Sequence, residues 1–316
     1  MSSPMSSANV FTTTAACAAV ALGLLAYSSV GIASDGVAFD ISPFLAEISG
    51  AVTRSIEPDV LYAIGDGGQG ARPIVVRHEL RTGSTRILQV PGAENYDWEA
   101  IVTDSQDRLW VLDVGDNFRR RPHLDFYLLD PDQMLPTLAT TFPARMPVER
   151  RLRVLLPDGP RDFEAAIYRS SVGPDGALRE RIYLFEKRYL LSGDVYEVNL
   201  SPRARVTIAR ILPVGALELP FPITDAAQDE FGRVYLNTYW GVTTCENCER
   251  LGKNAPEVLP ARSASGLFGI EWLSLRGQVE TVAVPRQGQL LRAAEDGRIW
   301  VRKSPTSEAP AVAVAP

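Results

Sequence analysis

Five short segments of alternating apolar and polar residues decide the predicted fold: EISGAV (47–52), DWEAIV (97–102), DFEAAI (162–167), ITDAAQ (223–228) and QGQLLR (287–292). Each is interpreted as the first strand of a repeat and has a polar residue near its centre. We take these central residues as equivalent: Ser49, Glu99, Glu164, Asp225 and Gln289. Alternation over six residues is typical of a half-buried β-strand.

A second strand, which opens with an aliphatic–aromatic pair, follows each first strand. The second strands are LYAIGD (61–66), LWVLDV (109–114), IYLFEK (182–187), VYLNTY (234–239) and IWVRKS (299–304). The intervals between the equivalent first-strand residues are 50, 65, 61 and 64 residues. A repeat of this length, built from strands and turns, predicts the blades of an all-β propeller.

A single propeller domain of four-stranded antiparallel blades is predicted over residues 36–304. The fourth repeat continues into LFGIEWLSL (267–275) and QVETVAVP (278–285), but the last repeat supplies only two strands. A propeller joins its first and last blades, because that removes the open sheet edges. GVAFDIS (36–42) is therefore predicted to complete the final blade and to close a ring of five. A sixth blade would require two merged elements in the stretch 118–161.

The net charge and the two ends of the chain bear on its location and partners. The 316 residues carry a formal net charge of −6, which provides no overall basic field for nucleic acid. Residues 1–34 contain no Asp, Glu, Lys or Arg. We interpret residues 1–33 as a signal peptide or, if uncut, a membrane anchor, which predicts a secreted or periplasmic protein. The Ala/Pro-rich segment 305–316 is expected to be disordered.

Two cysteines, Cys245 and Cys248, lie between strands of the fourth repeat. In an oxidising compartment we expect them to form a disulfide that closes this loop. Zinc would require two further Cys or His ligands, and the sequence has no second pair of that kind. A redox-active dithiol would require a helix N-terminus or a nearby cation, and no helical pattern surrounds this pair.

The equivalent polar residues of the first strands form a predicted belt around the central channel, which the innermost strand of each blade lines. Asp97 and Asp162 lie two residues upstream of Glu99 and Glu164 and are expected on the same face. Crowded carboxylates repel one another unless they are protonated, hydrogen-bonded or neutralised by a cation. Two interpretations stay open: a hard cation such as Ca²⁺, or hydrogen bonds from backbone N–H groups of neighbouring blades.

The segment DVGDN (113–117), directly after the second strand of the second repeat, concentrates oxygen-bearing side chains around a glycine. Such a segment could ligate a cation. Asp and Asn also stabilise ordinary turns through side chain to backbone hydrogen bonds, and that alternative remains open. The candidate cation ligands are Asp113, Asp116, Asn117, Glu99 and Glu164.

These motifs resemble those of a group of exported bacterial β-propeller proteins, mostly of unassigned function, in which Asp-Trp-Glu precedes Asp-x-Gly-Asp-Asn. The chain is more distantly similar to calcium-containing propellers of the lactonase and esterase-like phytase type. The resemblance spans roughly residues 46–303 and departs from the group's pattern at Ile64 and Ala100. It implies the fold and an exported location. The matching residues are Asp97, Trp98, Glu99, Asp113, Gly115, Asp116, Asn117, Asp162 and Glu164.

One candidate function is a non-catalytic, monomeric, exported propeller that binds a small molecule, a glycan or a protein at its channel mouth, with or without a structural Ca²⁺. The two histidines, His78 and His123, both lie outside the first strands, so a Ser-His-Asp arrangement is not expected. The candidate ligand-binding residues are Ser49, Asp97, Asp162 and Gln289.

The other candidate function is a hydrolase that relies on carboxylates, with Glu99, Glu164 and Asp225 as catalytic residues. Glycoside hydrolysis needs one protonated carboxyl and one ionised carboxylate. Packed acids raise the pKa of one member, which supplies the protonated group. Metal-assisted hydrolysis of an ester or a lactone is a variant of the same hypothesis.

Overall fold

The structure is a computed structural model, and the chain divides into two units, Met1–Gly36 and Val37–Pro316. The described residues all belong to the second unit, so the predicted leader and tail lie outside them. Within this described part, no helix is long and apolar enough to cross a membrane. The described ranges are 38–45, 47–67, 71–135, 143–188, 193–200, 206–217, 222–229, 232–239, 241–245, 278–284 and 289–303.

The described secondary structure is almost entirely β, with one turn of 3-10 helix at Pro131–Gln133. The strands are β1 (Phe39–Asp40), β2 (Ile48–Thr53), β3 (Val60–Gly65), β4 (Ile74–Glu79), β5 (Thr85–Gln89), β6 (Trp98–Thr103), β7 (Leu109–Asp113), β8 (His123–Leu129), β9 (Ala144–Arg145), β10 (Val148–Leu155), β11 (Phe163–Val172), β12 (Leu178–Glu186), β13 (Gly193–Asn199), β14 (Val206–Leu217), β15 (Ile223–Gln228), β16 (Val234–Thr238), β17 (Gly241–Cys245), β18 (Val279–Ala283), β19 (Gln289–Ala294) and β20 (Arg298–Lys303).

These strands form four hydrogen-bonded sheets, which divide into five blades. One eight-stranded sheet contains two antiparallel blades, β6-β7-β8-β10 and β11-β12-β13-β14, whose outermost strands β10 and β14 pair in parallel. The innermost strands β2, β6, β11, β15 and β18 contact one another in that order, and β18 contacts β2. The chain is a β-propeller. The other blades are β2-β3-β4-β5, β15-β16-β17 and β18-β19-β20-β1.

Hydrophobic packing follows the same five-fold arrangement. The described residues contain five buried apolar clusters, and each contains side chains from two consecutive blades. Trp110 packs between the second and third blades, for example, and Tyr62 between the first and second. Because a blade presents two apolar faces, it becomes fully buried only when it has a neighbour on both sides.

The predicted closure of the ring is confirmed. Phe39 and Asp40 pair with Ile299 and Arg298, so the N-terminal strand β1 completes the last blade. The stretch 118–161 supplies β8 and β10 to the second blade, and its short strand β9 pairs in parallel with β5 of the first blade. Its described residues therefore contain no additional blade. The predicted strand LFGIEWLSL (267–275) lies outside the described residues.

The predicted strand order of the last blade is wrong. QGQLLR (287–292) was expected to be the innermost strand, but Gln289 begins β19, the second strand of that blade. The innermost strand is β18, from QVETVAVP (278–285), which was expected to end the preceding blade. The alternating pattern does not distinguish the first strand of a blade from the second, because both are buried between neighbouring blades.

The buried side chain of Ile41 tests the contribution of the closing segment. Ile41 is 0% exposed and packs in the cluster between the last and first blades. Ile41→Ala should lower the free energy of unfolding by about 2–5 kcal/mol, because it removes buried apolar contacts and leaves a cavity. Denaturant unfolding measures this change.

Phe44→Ala is the matched control, because Phe44 lies in the same segment and is 37% exposed. It should change the free energy of unfolding far less than Ile41→Ala. Equal effects of the two substitutions would contradict the view that this segment stabilises the ring through its packing.

Candidate functional site

A β-bulge near the start of each innermost strand creates the belt of the central channel. In each strand one residue lacks a register partner, which locally redirects its side chain. The bulge residues are Ser49, Glu99, Glu164, Thr224 and Glu280. The first three are the residues taken as equivalent from the sequence, whereas Thr224 and Glu280 stand where Asp225 and Gln289 were expected.

Asp225 lies one residue beyond the bulge and has a different role. Its carboxylate accepts hydrogen bonds from the backbone N–H groups of Ala226 (2.7 Å) and Val282 (2.9 Å). The second bond joins β15 to β18 of the next blade, so both oxygens of this buried carboxylate hold the backbone. Ser49 also bridges blades, since its hydroxyl donates to the carbonyl of Trp98 at 2.5 Å.

Three carboxylates converge where the first and second blades meet at the start of the innermost strands. Asp66 follows β3, Asp97 precedes β6, and Glu99 is the bulge residue of β6. One carboxylate oxygen from each residue lies within 4.8 Å of the other two. We call Asp66, Asp97 and Glu99 the acidic triad. Asp66 was not expected as a ligand, because the turn that contains it is poorer in oxygen-bearing side chains than DVGDN.

Glu99 is the buried member of the acidic triad. Its side chain is about 95% buried, being 5% exposed, and it has no hydrogen bond to any residue in the described ranges. Burial raises the pKa of Glu99 well above its usual value, and the charges of Glu164, Asp66 and Asp97 raise it further. Glu99 is thus a buried carboxylate without a hydrogen-bonding partner in the described ranges, directed at two other carboxylates. A bound cation stabilises such a group, because its charge offsets the repulsion among the three carboxylates.

The pKa of Asp97 is also raised. Burial, a hydrogen bond with Asp66 and the charges of Asp66, Glu164 and Asp162 raise the pKa of Asp97 to about 8. Gly115 permits this arrangement, because a Cβ there would lie 2.5 Å from Cγ of Asp97 and 2.8 Å from Cγ of Glu99. The glycine of the DVGDN segment therefore leaves room for two carboxylates of the acidic triad.

Glu164, the bulge residue of the neighbouring innermost strand β11, has a cationic partner. Its Oε1 accepts a hydrogen bond from Nζ of Lys187 at 2.7 Å, and both side chains are buried. Burial outweighs this bond and raises the pKa of Glu164 to about 7. Burial alone would lower the pKa of Lys187, but the charge of Glu164 raises it above the usual range, so the ammonium group stays protonated.

Glu280 is a belt residue that sequence reasoning missed. Burial and the charge of Glu164 raise its pKa to about 8. A signal for it exists, because each bulge residue follows a buried apolar residue, as in Trp98-Glu99, Phe163-Glu164 and Val279-Glu280. The bulge residue directly follows the buried apolar residue that opens each innermost strand. This rule finds Thr224 and Glu280, whereas the centre of an alternating segment does not.

The DVGDN segment is held as a turn by its own carboxylates. Asp113 accepts hydrogen bonds from the backbone N–H groups of Tyr96 (3.2 Å) and Asp97 (3.0 Å) and pairs with Arg121 at 2.6 Å. Asp116 accepts from the backbone N–H group of Arg121 at 2.7 Å. These bonds position Asp97 for the acidic triad, which contains neither Asp113 nor Asp116.

The remaining candidate residues lie in several places. Asp162 accepts a hydrogen bond from the backbone N–H group of Asp116 at 2.8 Å, which ties the second blade to the third. Asn117 is exposed. Gln289 lies on the second strand of its blade. The side chains of Cys245 and Cys248 lie outside the described part of the chain, so the predicted disulfide stays a prediction.

Comparisons with known proteins find similarity only at the level of solved structures. No protein-family model and no curated protein matches the chain. One similar structure is XC5397 from Xanthomonas campestris, a gluconolactonase, with 13% identity over 81% of this chain and 71% of that chain and a TM-score of 0.39.

Two further solved structures are also similar to this chain. A catalytically inactive virginiamycin B lyase from Staphylococcus aureus has 9% identity over 80% of this chain and 65% of that chain, with a TM-score of 0.35. PorZ from Porphyromonas gingivalis has 11% identity over 84% of this chain and 33% of that chain, with a TM-score of 0.33.

The raised pKa of Asp97 predicts how stability depends on pH in the presence of a chelator. A group whose folded pKa exceeds its unfolded value stabilises the fold below the unfolded pKa, and this stabilisation is lost as pH rises through the folded pKa. For Asp97 that interval runs from the usual 3.8 to about 8. The free energy of unfolding should therefore fall between pH 5 and pH 8, and Asp97→Asn should reduce the slope.

Denaturant unfolding at several pH values measures this slope. Asp158→Asn is the control, because Asp158 is exposed in a turn and is not a member of the acidic triad, and it should keep the wild-type slope. An Asp97→Asn variant with the wild-type slope would contradict the prediction.

Proposed function

We propose that this protein is an exported β-propeller that binds Ca²⁺ through the acidic triad and uses the bound ion to hold a ligand at this mouth of the channel. The observation that carries the proposal is Glu99, a buried carboxylate with no hydrogen-bonding partner in the described ranges, directed at Asp66 and Asp97. The export component rests on the apolar, uncharged residues 1–33.

The donor set fits a hard cation. Ca²⁺ takes six to eight oxygen ligands and accepts carboxylates in flexible geometry. Three carboxylates supply between three and six oxygens, so coordination positions remain for water or for an oxygen-bearing ligand. The space that Gly115 leaves beside Asp97 and Glu99 lets both carboxylates approach one point.

Charge balance also supports a cation at this position. Around the acidic triad lie Glu164 and Glu280, and the ammonium group of Lys187 offsets one of these charges. Without a cation the excess negative charge is accommodated by proton uptake, as the raised pKa values of Asp97, Glu99 and Glu280 express. A divalent cation would neutralise two charges without requiring that protons be retained.

Glu99→Gln is the decisive substitution. In wild-type protein Ca²⁺ at about 100 times its Kd should add about 2.7 kcal/mol of stability, which raises Tm by about 5 °C or more. Glu99→Gln should lose this rise, because a charged ligand is gone. In chelator the same variant should melt above wild type, because glutamine is neutral without the proton uptake that Glu99 requires on folding. Thermal unfolding with chelator and with added Ca²⁺ measures both effects.

Glu149→Gln is the matched control, since Glu149 lies on the outer strand β10 with its side chain 49% exposed. It should keep the wild-type response to Ca²⁺. A wild-type Tm that does not respond to Ca²⁺, or a Glu99→Gln variant that retains the response, would exclude the triad as the site.

A hydrolase is the second candidate, and one observation favours it. Because its pKa is raised to about 7, Glu164 is present in both its protonated and its ionised form near neutral pH. It lies at the same mouth as Glu99. A carboxyl group with such a pKa suits general acid–base catalysis. This hypothesis uses Glu99 and Glu164 and excludes Asp225, because backbone hydrogen bonds occupy both oxygens of Asp225.

A substrate panel of lactones, aryl esters and aryl glycosides, assayed with Ca²⁺ present, tests the hydrolase. Glu164→Gln should abolish any turnover found while leaving the Ca²⁺-induced rise in Tm intact, because Glu164 is not a triad residue. Hydrolysis by wild type no faster than in buffer, across the whole panel, would argue against catalysis and leave the binding function in place.

A further inference from the structure

The opposite mouth of the channel contains a cavity of a different character. The bulge residue is the second residue of each innermost strand and lies at the end of the channel that contains the acidic triad, which we call the acidic mouth. The later residues of each strand therefore lie toward the other end of the channel. These later residues and the turns that follow them line a cavity of about 710 Å³. Pockets that bind small molecules usually measure about 300–1,000 Å³. We call this cavity the distal pocket.

Small apolar residues recur in the lining of the distal pocket. Alanine occurs on the innermost strand of four of the five blades, at Ala51, Ala166, Ala226 and Ala283, and Val102 lies on the fifth. These five residues are buried in the clusters between neighbouring blades and form an apolar part of the pocket lining. Aliphatic side chains such as Ile101 and Ile167 complete an apolar surface.

The charged groups of the pocket lining have partners within the protein. Arg54, 2% exposed, pairs with Glu57 at 2.8 Å and with Asp132 at 3.0 Å. Asp104 pairs with Arg108 at 2.7 Å. An ionic ligand would therefore have to disrupt an existing pair or remain unpaired in an apolar cavity, which is costly.

The other two charged lining residues are also engaged. Asp107 accepts hydrogen bonds from the backbone N–H group of Ser55 at 2.9 Å and from its hydroxyl at 2.5 Å. Asp229 accepts one from the backbone N–H group of Arg233 at 2.8 Å. Because both carboxylates already accept hydrogen bonds from within the protein, a ligand does not have to supply a counter-charge for either of them.

Among the neutral polar residues of the lining, Thr103 and Gln228 are the last residues of β6 and β15 and so lie at the rim. The hydroxyl of Thr103 makes no hydrogen bond to another residue within the described ranges, and the side chain of Gln228 is exposed. Either group can donate or accept one hydrogen bond. We propose that the distal pocket binds an uncharged, mainly apolar small molecule with a single hydroxyl or carbonyl group held at the rim.

Fluorescence titration with the uncharged probe N-phenyl-1-naphthylamine tests this site. Saturable binding to wild type is expected, in chelator and in Ca²⁺ alike, because the acidic triad is not involved. The sulfonated analogue 8-anilinonaphthalene-1-sulfonate should bind at least about tenfold more weakly, since burying its charge without a partner is unfavourable. Equal or tighter binding of the sulfonated probe would overturn the proposed ligand class.

Gln228→Trp and Thr103→Trp place an indole in the pocket and should each weaken binding of the uncharged probe by about tenfold or more. Gln89→Trp, an exposed strand position on β5 outside the pocket, is the matched control and should bind as wild type does. Far-UV circular dichroism and Tm establish that each variant folds. Unchanged binding in folded Gln228→Trp, or no saturable binding to wild type, would refute the distal pocket as a site.

Discussion

Burial of each blade between two neighbours is the constraint on which the rest of the structure depends. The five apolar clusters are all shared between consecutive blades, so no blade has a hydrophobic core of its own among the described residues. The packing of Ile41 and Leu45 with residues of the first and last blades makes the ring continuous. Only a closed ring brings the five innermost strands around one axis, and both mouths of the channel exist for that reason.

Along the innermost strands, the polar bulge residues lie at one mouth of the channel, and small or aliphatic residues lie toward the other mouth. Each strand begins with a bulge that directs a polar side chain to the belt, and it continues with small or aliphatic residues. The acidic mouth carries an electrostatic cost, visible as the raised pKa values of Asp97, Glu164 and Glu280. The extensive interblade packing can offset this cost, and unfavourable local interactions of this kind are concentrated at functional sites.

The sequence was sufficient for the ring and its closing strand, but not for the strand order of the last blade or the detail of the site. Spaced alternating segments and the need to remove open edges led to the ring and to the closing strand at Phe39. Bulges shift register by a single residue, which an alternating pattern does not reveal, and so the pattern predicts Asp225 where the bulge residue is Thr224. Asp66 joins Asp97 only because Gly67 packs against the backbone of Tyr96 in the next blade. Such a contact between blades depends on tertiary structure and has no periodic signature.

The pairing of β1 with β20 has a consequence for how the molecule is made. Phe39 pairs with Ile299, 260 positions later in the sequence, so β1 cannot take its place in the last blade until β20 has been synthesised. Contacts between residues so distant in sequence are entropically expensive to form and slow folding. Until they form, nascent chains present unpaired strand edges that can join to those of other copies. A chaperone that delays assembly until β20 has emerged would therefore raise the yield of folded protein.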